Sequence, residues 1–188
     1  MSLTDAQKRE LLQLARDSIA AHLAALPLPL PEMAELHGVH AGVFVSLHIG
    51  DQLRGCIGYT EGRRSLPAGL QETAISAATR DPRFEPLTSD ELAHVIIEIS
   101  VVSPLYPIAS PEEIVLGKHG VMAQLGPQQG LLLPQVAWRH NWDVETFLAQ
   151  TCRKADLPLE AWKNPETEIF IFEAEIFSEA ELVSKTSR

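Results

Sequence analysis

Apolar residues recur at helical spacing near the start of the chain. Leu11, Leu12, Ala15, Ile19, Leu23 and Leu26 fall on one stripe, and Thr4 with Gln7 has the spacing of a capping box that opens it. The "PLPLP" of residues 27–31 must end that helix, because proline removes an amide donor and fixes the backbone. The pattern then changes period. In "GVFVSLHI", residues 42–49, Val43, Val45, Leu47 and Ile49 face one way and Phe44, Ser46 and His48 the other, so a strand is expected. "GDQ" makes a turn and "LRGCIG", 53–58, returns as the partner strand.

The register of that hairpin decides what Cys56 meets. A two-residue loop would set it opposite Leu47 or Val45. A three-residue loop pairs Ile49 with Leu53 and Val45 with Ile57, and sets His48 opposite Arg54 and Ser46 opposite Cys56. Burial of one face specifies register strongly, so the loop that keeps apolar with apolar is preferred. It gathers Ser46, His48, Arg54 and Cys56 on one polar face.

Further along, Leu66 to Thr79 reads as a helix whose alanines (Ala74, Ala77, Ala78) permit close packing on a sheet. Pro82 and Pro86 make "RDPRFEPL" an irregular connection, and Thr88 to Glu91 is a second capping box. "HVIIEISVV", 94–102, is the strongest strand, with Glu98 conspicuous on the face opposite Val95, Ile97, Ile99 and Val101. Smaller pieces follow. Ser110 to Glu113 caps a short helix, "GKHG" at 117–120 is a turn, and "VMAQL" and "LLL" flank "GPQQG" as a hairpin. Asp143 opens a helix carrying Val144, Phe147, Leu148, Thr151, Cys152 and Ala155 on one face, and "EIFIFEAEIF", 168–177, is a last strand. Helices and strands mix without a βαβ rhythm. The class is therefore α+β, a mainly antiparallel sheet with flanking helices. The expected organisation is one domain over 1–188 with two unequal lobes, a larger one of residues 1–104 with 168–178 and a smaller one of 105–167. Residues 179–188 form a tail.

Composition narrows the function. A chain of 188 residues with 45% hydrophobic content has a sizeable core. The formal net charge of −10 repels phosphate backbones, so nucleic-acid binding is not expected. No apolar run reaches the roughly 20 residues of a membrane helix. The N-terminal "MSLTDAQKRE" lacks the apolar core of a signal peptide, so a cytoplasmic location is expected. Two cysteines, Cys56 and Cys152, are too few for a disulfide framework and read as free thiols. "HGVH", 37–40, lacks a third ligand at zinc-like spacing, so neither a metal nor a cofactor is expected.

The candidate chemistry centres on Cys56. A thiolate is the reactive form, and a neighbouring cation lowers a thiol's pKa. Arg54 is the expected cation and anion binder, and Gly55 and Gly58 leave bare backbone for a substrate and for N–H donors to an oxyanion. The structural alternative is a small apolar residue in a core. Glu98 needs a partner if buried, and Arg54 is the expected one. His119, between two glycines, and His48, across the hairpin, are the acid–base options. Ser46 and Arg83 are candidate substrate contacts, although an arginine beside a loop aromatic often staples the loop. Cys152 reads as core.

The chain also resembles a known family. "LRGCIG" at 53–58, "DPRF" at 81–84, "IEISVVSP" at 97–104, "GKHG" at 117–120, "LLPQVA" from 132 and "FLAQTCRKADLP" at 147–158 occur in the order of the AMMECR1 family. The resemblance implies a two-lobed α+β fold with the glycine–cysteine segment near the cleft between the lobes. It also implies a prokaryotic set that includes a Memo-like protein and a radical-SAM-type enzyme as partners. It supplies no reaction. Arg139 and Asn141 in "AWRHNW" stand where the family often has an acid and a glycine. Two readings follow: a small thiol-dependent enzyme acting on an anionic small molecule or modified protein, or a non-catalytic module that binds a partner or metabolite at the same strand.

Overall fold

The computed structural model describes residues 2–181, so the end of the expected tail, from 182 on, lies outside the described residues. Two compact units are present. One comprises the chain up to Val102 together with residues from Glu175 onward, and the other runs from Ser103 to Ala174.

The first unit begins with helix α1 (Asp5–Leu23), and its capping box is formed as the spacing requires: Thr4 Oγ1 accepts from the Gln7 amide at 3.2 Å, and Gln7 Oε1 from the Thr4 amide at 2.9 Å. The strands β1 (Gly42–Ile49) and β2 (Gln52–Tyr59) form an antiparallel hairpin, followed by α2 (Leu66–Thr79), the single turn α3 (Ser89–Leu92) and β3 (Ile96–Val102). β1 lies between β2 and β3, antiparallel to both. Val43, Val45, Leu47, Ile97, Ile99 and Val101 cover one face of this sheet and bury it under Leu11, Ala15 and Ile19 of α1 and Leu70, Ala74 and Ala77 of α2. Arg16 ties the far end of α1 to this core. It donates to Leu92 and Val95 carbonyls and forms a two-pronged ion pair with Glu179, which also accepts from the Ile97 amide at 2.8 Å.

The second unit contains β4 (Tyr106–Ile108), β5 (His119–Leu125), β6 (Gln128–Leu132), α4 (Pro134–Arg139), α5 (Val144–Lys154) and most of β7 (Glu168–Ser178), whose last residues belong to the first unit. β5 pairs antiparallel with β6 and β7, and β4 pairs with β7. Asp143 caps α5, accepting from the Thr146 amide at 2.8 Å, and Phe147, Leu148 and Cys152 are fully buried on its inner face. Two elements, β4 and α4, carry no pattern in the sequence. β4 is three residues with a central proline, and α4 is six residues with no side-chain cap. The lobe boundary also falls differently from the expected one, since residues 168–174 belong to the second unit.

Candidate functional site

Cys56 sits near the middle of β2, directly opposite Ser46 of β1, and Ser46 lies directly opposite Glu98 of β3. The three side chains therefore form one rank across the sheet, on the face away from the apolar core. The Cys56 N–H and C=O both turn to the outer edge of β2 rather than toward β1. Ser46 and Cys56 are thus a pair without mutual backbone bonds, the arrangement in which opposing side chains come closest. The Ser46 hydroxyl donates to Cys56 Sγ at 3.3 Å. Ser46 and Glu98 are buried, while Cys56 is only half-buried.

The outer edge of β2 is closed by "DPRF". Asp81 is buried, and its carboxylate accepts from the Cys56 amide at 2.8 Å, the Arg83 amide at 3.1 Å, Arg83 Nε at 2.9 Å and Arg83 Nη2 at 2.7 Å. The Arg83 guanidinium, helped by the Cys56 amide, holds the Asp81 carboxyl down at about 2. Arg83 Nη2 also donates to the Cys56 carbonyl at 3.3 Å. The guanidinium's own pKa is raised, chiefly by Asp81 and further by a hydrogen bond and charge interaction with the Cys56 side chain. The cation beside the thiol is accordingly Arg83, whose side chain is 45% exposed. Its pairing also blunts an edge strand that would otherwise present open backbone groups.

Arg54 is placed otherwise than the sequence suggests. The pairs Val45–Ile57 and Ser46–Cys56 are as expected, but Leu47 meets Gly55 and His48 meets Leu53, so Arg54 is the extra residue of a bulge. Ile49 meets Gln52, and the turn is the two residues Gly50 and Asp51, with Gly50 at φ +59. The expected pairings of Ile49 with Leu53 and His48 with Arg54 are therefore replaced, and His48 lies opposite Leu53 and Ile96. Turned by the bulge, Arg54 grips Glu91 through Nε at 2.9 Å and Nη2 at 3.1 Å and donates to the Glu85 carbonyl at 2.9 Å. Glu91, not Glu98, is its carboxylate partner, and this pairing together with Thr88 lowers the Glu91 pKa to about 2. The Phe84 ring lies within 6.0 Å of the Arg54 guanidinium and 5.4 Å of Arg83's.

The glycines have packing reasons. A Cβ on Gly55 would overlap the Ala77 carbonyl of α2, and one on Gly58 would overlap the Phe44 ring. The protein itself fills the space that the sequence assigned to a ligand. Likewise the Cys56 amide is already engaged by Asp81, so it is not an oxyanion donor.

His119 belongs to the second unit and opens β5, a strand residue rather than part of the turn; the turn's left-handed residue is Gly117, at φ +81. His119 is buried, and its Nδ1 accepts from the Val115 amide at 3.1 Å, which leaves the ring proton on Nε2 in the neutral form. Asn141 takes φ +52, the left-handed conformation that glycine favours and asparagine tolerates, so the replacement preserves the turn. Arg139 lies 5.8 Å over the Trp138 ring. Cys152 is fully buried, and burial pushes its pKa up.

The arginine pairings of Asp81 and Glu91 are what sequence reasoning missed, having read Glu91 only as a cap and Asp81 only as part of a motif. The spacing Asp–Pro–Arg carried a signal, since an acid and a base two apart across a proline are held in one tight turn.

Among the described residues no helix is long and apolar enough to cross a membrane, and no three His, Cys, Asp or Glu side chains are grouped to hold a metal. The α+β fold with an antiparallel sheet is shared with a solved structure, and similar sequences occur in several archaea. The chain belongs to the AMMECR1 family, whose sequence model matches residues 12–177. A protein from Methanothermobacter thermautotrophicus is 43% identical, with 91% of this chain and 93% of that protein aligned. One from Methanosarcina barkeri is 41% identical over 95% of this chain and 93% of its own length. The crystal structure of an uncharacterised protein from Pyrococcus horikoshii superposes with a TM-score of 0.86 at 37% identity, covering 90% of this chain and 89% of that one.

Proposed function

We propose that the chain is a small thiol-dependent enzyme that acts through Cys56 on an anionic small molecule or modified protein. One observation carries this reading: a buried carboxylate, Asp81, holds a half-exposed guanidinium, Arg83, whose Nη2 donates to the backbone carbonyl of Cys56, a residue with a partly exposed thiol. A cation beside a cysteine favours the thiolate, which is the nucleophile. In its thiolate form Cys56 needs no general base to react. The Ser46 hydroxyl donates to the sulfur, which would steady a negative charge there, and Glu98 pairs opposite Ser46 in the strand register. The solvent-facing part of Arg83 is the natural seat for the substrate's anionic group. The Memo-like and radical-SAM-type proteins that the family resemblance implies are candidate sources of that substrate.

The test uses two alkylating agents of similar size and opposite demand. Iodoacetate is anionic and iodoacetamide neutral, and peptide mapping separates Cys56 from Cys152. The proposal expects Cys56 to favour iodoacetate relative to a free model thiol, with the preference lost in Arg83→Ala. Equal preference in both proteins would remove the anion seat. An inert Cys56 would favour the second reading, a binding module in which Arg83 only anchors an anionic partner.

A further inference from the structure

The second unit holds a shallow cavity of about 190 Å³ lined by Leu132, Trp142, Gln150, Arg153 and Lys154. Its walls differ in chemistry. Trp142 is pre-oriented, stacked on His140 with ring centroids 4.7 Å apart and planes at 18°. Leu132 ends β6 and adds a second apolar surface. Opposite in character, Arg153 and Lys154 stand in the last turn of α5, and neither forms an ion pair among the described residues. They are not needed to close the helix end either. The carbonyls of Thr151, Cys152 and Arg153 are already met by the amides of Ala155, Leu157 and Asp156. Finally, Gln150 Oε1 is buried and has no hydrogen-bond partner among the described residues. A buried acceptor left unmade is expensive, so a donor at this point is favourable.

We propose that this cavity binds a small aliphatic acid bearing a hydrogen-bond donor next to its carboxylate, the chemistry of a hydroxy acid or amino acid. The carboxylate sits on Arg153, whose planar fork matches two oxygens, with Lys154 adding charge. A turn of the Gln150 amide, whose Oε1 has no hydrogen bond to lose among the described residues, brings that oxygen to the ligand's hydroxyl or ammonium, and the alkyl part lies on Trp142 and Leu132. The volume is below the roughly 300–1,000 Å³ of drug-sized sites, which selects a small ligand. In a chain of net charge −10, two cations without ion-pair partners among the described residues, beside an aromatic wall, form a local exception that an acid would find.

The experiment titrates the full chain with 2-hydroxy-4-methylpentanoate, 4-methylpentanoate and inorganic phosphate, read by saturation-transfer NMR and tryptophan fluorescence. The hydroxy acid is expected to bind about tenfold more tightly than the plain acid. Arg153→Ala and Lys154→Ala, both at exposed positions, are each expected to weaken it, Arg153→Ala the more. Gln150→Leu is expected to abolish the difference between the two acids. Three results would overturn the proposal: no binding up to about 10 mM, phosphate binding as well as the hydroxy acid, or affinities unchanged by Arg153→Ala and Gln150→Leu. None of these results bears on Cys56, which belongs to the other unit.

Discussion

Replacing Asp81 with asparagine is the perturbation whose size the structure sets most directly. The carboxylate accepts four hydrogen bonds, two from backbone amides and two from the Arg83 side chain. Asparagine keeps the shape but turns one acceptor oxygen into a donor, which then faces N–H groups. The folded carboxyl titrates at about 2, from an ordinary 3.8. A depression of that size corresponds to roughly 2.5 kcal/mol, trimmed to about 1–2 kcal/mol because Arg83 is half-exposed and solvent screens it. The sign follows from the direction. Because the folded pKa lies below the unfolded one, the stabilisation is full above pH 4 and is lost as pH falls through about 2. Asp81→Asn is therefore expected to destabilise the first unit by about 2–4 kcal/mol at neutral pH, counting the lost charge-assisted bonds. The gap from wild type should narrow by about 1 kcal/mol at pH 3. Urea unfolding followed by far-UV CD measures it. Trp138, Trp142 and Trp162 all lie in the second unit, so tryptophan fluorescence reports that unit separately. A variant within about 0.5 kcal/mol of wild type at pH 7, or an equal gap at both pH values, would refute the clamp.

Other substitutions probe the frame. Gly55→Ala drives a methyl into the Ala77 carbonyl, and a loss of about 2–3 kcal/mol by CD-monitored unfolding is expected; near-neutrality would show that α2 can retreat. Arg54→Ala should free the 84–91 segment, seen as faster amide hydrogen exchange there, while leaving Cys56 alkylation within about twofold of wild type, since the Arg54 guanidinium is held by Glu91 and the Glu85 carbonyl. A large drop in Cys56 reactivity would return Arg54 to the site. Arg16→Ala breaks the half-buried link to Glu179 and two carbonyls, and a loss of about 1–3 kcal/mol in urea is expected.

The apolar alternation of β1 and β2 was enough to set Val45 against Ile57 and Ser46 against Cys56, because only that register buries one whole face. It was not enough for Arg54. A bulge adds one residue between two correctly placed apolar pairs and leaves the pattern around Val45 and Ile57 unchanged, so the sequence carries no mark of it. The capping boxes at Thr4, Thr88 and Ser110 were legible because they are local, three residues from donor to acceptor. The Asp81 contact to the Cys56 amide spans 25 residues and joins a side chain to backbone, and no periodicity encodes that. Gly55 was noticed for the right composition, and its reason lies in α2, where the small residue Ala77 brings the helix backbone onto the strand. The family was legible from ordered motifs. Its chemistry was not, since a motif locates residues without stating what they react with.

The rate of Cys56 alkylation by iodoacetamide as a function of pH, in wild type and in Arg83→Ala, tests the central claim most directly. A guanidinium held on the thiol predicts a midpoint below the usual thiol value of about 8.5, moving upward when Arg83 is removed. A wild-type midpoint at or above that value, unmoved by Arg83→Ala, would contradict the account.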